Sequence, residues 1–275
     1  MNTVMLIGGS DSCAGAGVQA DLKTVTALGV YGTTVITAVT AQNTQGVQSV
    51  HAVPAGFVGT QIDSVMNDIG ADAVKTGMLL NDEIVAAVTR KIRAYKKLGN
   101  VVVDPVLRAK DGSALLAGDT AVKVLTAELL PLALVVTPNI PEAETLSGVS
   151  INQPEHLREA AVVLHGSGAK NVLIKGGHAP EDWPSAKKGV VVDLFYDGNK
   201  FRELVSQKVS GTKGFHGSGC TLASAIAAAL ARGKGVEESI LFAEEFLSGI
   251  MEQSLKLGKG YDLLDPSGPA GKSRE

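Results

Sequence analysis

The sequence predicts an α/β fold, a three-layer α/β/α sandwich on a mostly parallel central sheet. Short β-branched runs recur along the chain, each followed by a segment of helical periodicity. Runs such as Val101-Val102-Val103 and Leu134-Val135-Val136 are apolar at every position, as strands covered on both faces must be. Hydrophobic residues at 45% against 19% charged suffice for a large core, while 4% aromatics and 32 glycines leave the packing to aliphatic strands and small-residue helices.

In chain order, strands are predicted over residues 4–7, 33–39, 73–76, 101–104, 134–137 and 172–175, where β-branched and aliphatic residues cluster. Helices are predicted over 18–28, 57–66, 83–98, 121–130, 155–164, 221–232 and 236–257, where apolar residues recur with a helical period. Two further segments differ from the buried runs. Residues 48–53 suit an antiparallel edge, and 190–195 with 200–205, joined across Asp197-Gly198, suit a hairpin. No break marks a second domain, so one domain is expected over 1–260. Pro266, Gly268, Pro269 and Gly271 give 261–275 the character of a flexible tail.

The balance of 25 Lys and Arg against 28 Asp and Glu supplies no positive field for a nucleic-acid backbone. Two cysteines, Cys13 and Cys220, are too few for a disulfide framework, and no leader precedes the first strand. The apolar stretches 129–136 and 222–231 are shorter than the ~18 residues of a membrane span. A cytoplasmic protein is expected.

Ligands of such sheets bind beyond the carboxyl ends of the strands. Gly15-Ala16-Gly17-Val18-Gln19-Ala20 fits the outline of a dinucleotide fingerprint, but seven residues separate Ile7 from Gly15 and the second strand ends at Gln42 rather than at an acid. The glycines serve a tight turn equally well. Gly217-Ser218-Gly219-Cys220-Thr221 runs into an Ala-rich helix, where converging N–H groups and the helix dipole favour a phosphate; the alternative is Ser218 as a plain N-cap. No Walker A loop is present. At the first turn of a helix the pKa of Cys220 can fall, which opens a role as a base; a small buried residue is the other reading.

Asn139 and Glu142 can hold the water shell of Mg²⁺ or form a capping box, and both readings are compatible. Lys175 ends a buried strand, where an ammonium needs an anionic partner or ligand. His216, beside the Gly loop, can pack or cap. His178 is taken as a loop residue, and Trp183 between Pro180 and Pro184 as surface loop.

Gly9 to Lys23, Ala41-Gln42-Asn43-Thr44, Lys75-Thr76-Gly77-Met78, Pro138 to Ala143, Lys175-Gly176-Gly177-His178 and His216 to Leu222 together resemble, in order and spacing, the hydroxymethylpyrimidine/phosphomethylpyrimidine kinases of thiamin biosynthesis, of the ribokinase-like superfamily. The resemblance covers roughly residues 1–257. It implies one ribokinase-like domain, ATP and Mg²⁺, a homodimer, and phosphorylation of 4-amino-5-hydroxymethyl-2-methylpyrimidine and then of its monophosphate. By position it implies that Gln42 reads the polar edge of the pyrimidine, that Asp21 and Ala16 share its pocket and that Met78 packs on the ring. It assigns Lys175, Asn139 and Ser218 to ATP and its phosphates, and Glu142 and Asp104 to Mg²⁺. It implies that Gly217, Gly219 and Cys220 form the anion hole and counts Lys175 with them as catalytic; sugar kinases of the superfamily carry an Asp base at the place of Cys220. Cys13-Ala14 stands where Ser-Gly is commoner, and Gly214-Phe215 where Asn-Thr is. Pyridoxal kinase of the same branch and a non-catalytic pyrimidine-binding module are the competing readings.

Overall fold

Nine strands form one sheet in the order β3-β2-β1-β4-β5-β6-β7-β8-β9. The computed structural model describes all residues except 97, 110–111, 181–182, 211 and 268–275. The parallel strands are β1 (Thr3–Asp11), β2 (Tyr31–Asn43), β4 (Ala73–Thr76), β5 (Val101–Val103), β6 (Val135–Val136) and β7 (Val172–Ile174). The edges are antiparallel, with β3 (Gly46–Ala52) on β2 and the hairpin β8 (Val190–Tyr196) and β9 (Phe201–Gln207) on β7.

The wholly apolar runs face two cores in alternation. Met5, Ile7, Val101, Val103, Val136 and Ile174 enter one core, while Val4, Leu6, Val102, Val135 and Leu173 enter the other. The first core is closed by α2 (Ala55–Met66), α3 (Asp82–Ala94), α4 (Gly118–Val124), α5 (Ile140–Ser147) and α6 (Pro154–Gly166). Helices α1 (Gly17–Ala27), α8 (Ser218–Ala231) and α9 (Val236–Met251) close the second, and α7 (Pro184–Lys187) is a short turn before β8. Every residue of α8 from Thr221 to Ala231 is buried, and its alanines let the helix approach the sheet closely.

Several expectations are corrected. The helix expected over 121–130 is α only to Val124, then a π turn at Leu125–Leu129 and a 3₁₀ turn at Leu130–Leu132, where Pro131 has no N–H to continue the α pattern. The last helix stops at Met251 rather than at 257. Trp183 is buried in the first core, 5% exposed, instead of lying on a surface loop. The tail expected from 261 does not begin there: β11 (Asp262–Leu263) pairs with β10 (Phe215–His216), and Leu264 is buried. Residues 268–275 of that expected tail lie outside the described residues.

Strand β2 lies on one side of β1 and β4 on the other, so the strand order reverses at β1. The crevice of such a reversal opens beyond Gly8–Asp11 and Thr76–Met78, where a ligand is expected.

Candidate active site

On the β1 side of this crevice, Asp11 organises the following loop. Its carboxylate accepts the N–H groups of Cys13 at 3.0 Å, Gly15 at 3.0 Å and Ala16 at 2.8 Å, and lies 2.9 Å from His216 Nε2. Burial pushes its pKa up, but His216 and the Ala16 and Cys13 N–H groups outweigh burial and hold it below the ordinary value. Cys13 Sγ also reaches this carboxylate, and Asp11, Cys13 and His216 could offer ligand atoms within 4.8 Å of one another. With three backbone N–H groups already bound, Asp11 serves as the anchor of the loop.

The glycines of the apparent dinucleotide fingerprint serve close packing. A Cβ on Gly17, at φ +59°, would lie 2.3 Å from the Gly9 carbonyl oxygen, and one on Gly15 would lie 2.3 Å from His216 Cδ2. Gly217 backs onto the same turn at φ +79°, where a Cβ would meet the Gly15 oxygen at 1.9 Å. The loop after β1 is thereby pressed against the start of α8.

Gln42, near the end of β2, is fixed through its backbone by Ser12, which accepts from its N–H at 2.8 Å and donates to its carbonyl at 2.7 Å. Met78 lies over Gly9, with Sδ 2.9 Å from where a Cβ would stand, and packs with Ala38 and Leu115. Ala16 is the N-cap of α1, with its N–H held by Asp11. Asp21 departs from its expected place in the pocket. It is fully buried, with both oxygens 2.9 Å from Lys75 Nζ and one 2.8 Å from Ser224 Oγ, so it supports the site from beneath.

On the far side, Lys175 follows β7 and donates to Asp104 Oδ1 at 2.8 Å; Thr137 Oγ1 donates to the same oxygen at 3.3 Å. Both groups converge on α8: a Cβ on Gly219 would lie 3.1 Å from Lys175 Nζ and 3.7 Å from Asp104 Oδ2. Asn139 and Glu142 form the capping box of α5, with Asn139 Oδ1 accepting from Glu142 N at 2.9 Å and Glu142 Oε2 from Asn139 N at 2.8 Å. Burial, and then the Asp104 charge, raise the pKa of Glu142 to about 7 against the pull of Lys175. Lys175 keeps a raised pKa, because Asp104 and Glu142 overcome the effect of its burial.

Two expectations for the start of α8 change. Gly217 is the N-cap, and Ser218 is the first helical residue with no capping side chain. The Cys220 pKa does not fall. Burial pushes it up to about 11, with Asp21 and Asp104 adding to the rise and Lys75 and the Gly17 N–H opposing it. The sequence marks the segments of Asp11 and Lys75 but gives neither residue a role, and it does not mark Asp193 or Glu244. Asp193 interrupts the apolar run of β8 and accepts from Gly176 N at 2.7 Å, a polar residue in a buried strand that could have marked it.

A helix start kept open at Gly219 beside Lys175 and the carboxyl groups of Asp104 and Glu142 is the arrangement of a phosphoryl-transfer site. The phosphomethylpyrimidine kinase family model matches residues 11–265. The chain is 48% identical over 259 residues to the thiamine biosynthesis bifunctional protein ThiED of Geobacter sulfurreducens, covering 94% of this chain and 51% of that one. It therefore spans about half the length of that relative. With the hydroxymethylpyrimidine/phosphomethylpyrimidine kinase of Bacillus subtilis it shares 43% identity over 257 residues, 94% of this chain and 92% of that one. Among solved structures, an ADP complex of Bacillus subtilis pyridoxal kinase matches with TM-score 0.87 and 35% identity over 98% of this chain and 99% of that one. A phosphomethylpyrimidine kinase from Clostridium difficile matches with TM-score 0.78 and 36% identity over 91% and 100%. The chain belongs to the phosphomethylpyrimidine kinase family, and its fold is ribokinase-like.

Proposed function

We propose that this chain transfers the γ-phosphoryl group of ATP to the hydroxymethyl oxygen of 4-amino-5-hydroxymethyl-2-methylpyrimidine, and then a second one to the monophosphate. The observation that carries the reading is the convergence of Lys175 and Asp104 on Gly219, where the missing side chain keeps the N-terminus of α8 open to a phosphate. The names of the family and its relatives supply the substrate.

Phosphoryl transfer asks a protein chiefly for alignment and charge neutralisation. In this reading Gln42, Ala16 and Met78 hold the ring so that its hydroxymethyl group faces α8. The N–H groups of Gly217, Ser218, Gly219 and Cys220 take the charge that builds on the transferred group, and Lys175 and Asn139 hold the ATP phosphates. The Asp104 charge raises the cost of ionising Glu142 beside Lys175, and the two carboxyl groups suit a hydrated Mg²⁺, which they would hold largely through water. Bound there, Mg²⁺ neutralises phosphate charge. Cys220, with its pKa near 11, is a neutral thiol at pH 7 and shapes the hole rather than acting as a ready base.

The test compares kcat/KM for the aminopyrimidine alcohol and for pyridoxal with Mg-ATP, following ADP and product. Preference for the aminopyrimidine is expected. Preference for pyridoxal moves the chain to the second reading, which the match to a solved pyridoxal kinase favours. No ADP with either alcohol leaves a binding module. No described helix is long and apolar enough to cross a membrane. A cytoplasmic homodimer completes the proposal, and sedimentation giving a monomer at working concentration would contradict the dimer.

A further inference from the structure

The amide of Gln42 is held between two partners. As placed, its Nε2 lies 3.3 Å from His216 Nε2 and its Oε1 3.1 Å from Thr40 Oγ1. The chemistry of those partners decides which end is oxygen. Asp11 is bound by the N–H groups of Cys13, Gly15 and Ala16 and is held ionised, so its carboxylate only accepts. His216 Nε2, 2.9 Å away, therefore carries a proton and donates to it. A second donor facing that N–H at 3.3 Å would be repelled, so the chemistry favours the amide turned over from this placement, with Oε1 toward His216. Thr40 leads to the same orientation. Its single hydroxyl proton goes to the Ser10 carbonyl at 2.9 Å, which leaves a lone pair to receive a Gln42 Nε2–H. A half-turn of the planar amide, with its heavy-atom positions unchanged, removes the donor-to-donor contact: the single Nε2 proton of His216 points to Asp11 and is shared with Gln42 Oε1, and Thr40 Oγ1 accepts from Gln42 Nε2.

We propose that His216, aligned by Asp11 and assisted by Thr40, is a specificity-determining positioning residue: it fixes the order in which Gln42 presents acceptor and donor to the ring. Oε1 keeps one lone pair and Nε2 one N–H, side by side. That edge pairs with an exocyclic amine next to a ring nitrogen, which a 4-aminopyrimidine has and pyridoxal lacks. Turned the other way, the amide would set donor against donor. This inference rests on the reading of Gln42 as the ring contact.

The test is steady-state kinetics with two alcohols, the aminopyrimidine and its analogue with hydrogen in place of the exocyclic amine. The unmodified protein should favour the first by roughly 10- to 100-fold in kcat/KM, since a site built for a polar group rejects a ligand without it. His216→Ala should collapse that ratio to within about 3-fold by raising KM for the aminopyrimidine, and His216→Gln, which returns an N–H near the lost Nε2, should restore part of it. A merely structural loss would lower both alcohols alike and leave the ratio intact. Thr40→Val, nearly isosteric, should lower the ratio by the same route and decides the matter if His216→Ala does not fold. Folded His216→Ala or Thr40→Val with an unchanged ratio, while Gln42→Leu abolishes it, overturns the role of the positioning residues alone. A ratio that survives Gln42→Leu overturns the ring contact itself, and this inference with it.

Discussion

Lys75 Nζ lies 2.9 Å from both carboxylate oxygens of Asp21, and each side chain is only 1% exposed. The pair ties β4 to α1, and Ser224 extends it to α8, directly beneath Cys220. Breaking a buried pair by removing one charge is costly because the other is left uncompensated. Asp21→Asn should therefore lower the unfolding free energy by about 3–5 kcal/mol in urea titrations. A loss below about 1 kcal/mol would show that the ammonium finds another partner and that Asp21 is not the support of the site.

Glu142 has two roles that one substitution separates. Glu142→Gln keeps an oxygen for the Asn139 N–H, so α5 stays capped and the melting temperature should change little. The lost charge should raise the Mg²⁺ concentration needed for half-maximal turnover and lower kcat. Unchanged Mg²⁺ titration and kcat would leave Glu142 as a helix cap only.

Cys220 tests the step from pKa to role. A thiol whose pKa stands at about 11 is a poor base at neutral pH. Cys220→Ser should stay within about tenfold of the unmodified kcat, since lost general-base catalysis typically costs 10²- to 10⁴-fold. A loss in that larger range for both Cys220→Ser and Cys220→Ala would restore the thiol as the base.

Glu244 on α9, half-buried, stands against the buried Asp193 on β8 as a second acidic pair, and Asp193 also accepts from Gly176 N. Burial first, then the neighbouring Asp193, raise the pKa of Glu244 to about 9. The folded protein thus holds this proton more tightly than the unfolded chain does. Its contribution to stability is full below the unfolded value of 4.5 and is lost as pH rises toward about 9. Glu244→Gln imitates the protonated form, so its melting temperature should gain on that of the unmodified protein across this window. A constant difference between the two would refute the raised pKa of Glu244.

The sequence carried much of the fold because the strands at its centre are marked locally. Ala73–Thr76 falls on the expected residues, and Asp197-Gly198 turns the β8–β9 hairpin with Gly198 at φ +90°. The two-residue strands Phe215–His216 and Asp262–Leu263 are too short for any periodicity, and only their tertiary pairing defines them. Trp183 sits among turn-forming prolines, which conceal its burial. Within the site, Lys175 was legible as a charge ending a buried strand. The partner of Lys75 was not, because Asp21 lies 54 residues away and no local pattern links them. The Cys220 shift reversed for the same reason: a helix start lowers a thiol pKa, but burial and the nearby Asp21 and Asp104 are tertiary facts that outweigh it.

The most direct measurement is ADP release by Gly219→Val with Mg-ATP and the aminopyrimidine alcohol, on protein whose circular dichroism confirms that it is folded. The added side chain would begin 3.1 Å from Lys175 Nζ and fill the space where a phosphate meets the start of α8. Near-complete loss of ADP release, with binding of the pyrimidine retained in calorimetry, is the expected result. Full activity in the folded variant would place the phosphate elsewhere and contradict the assignment of the site.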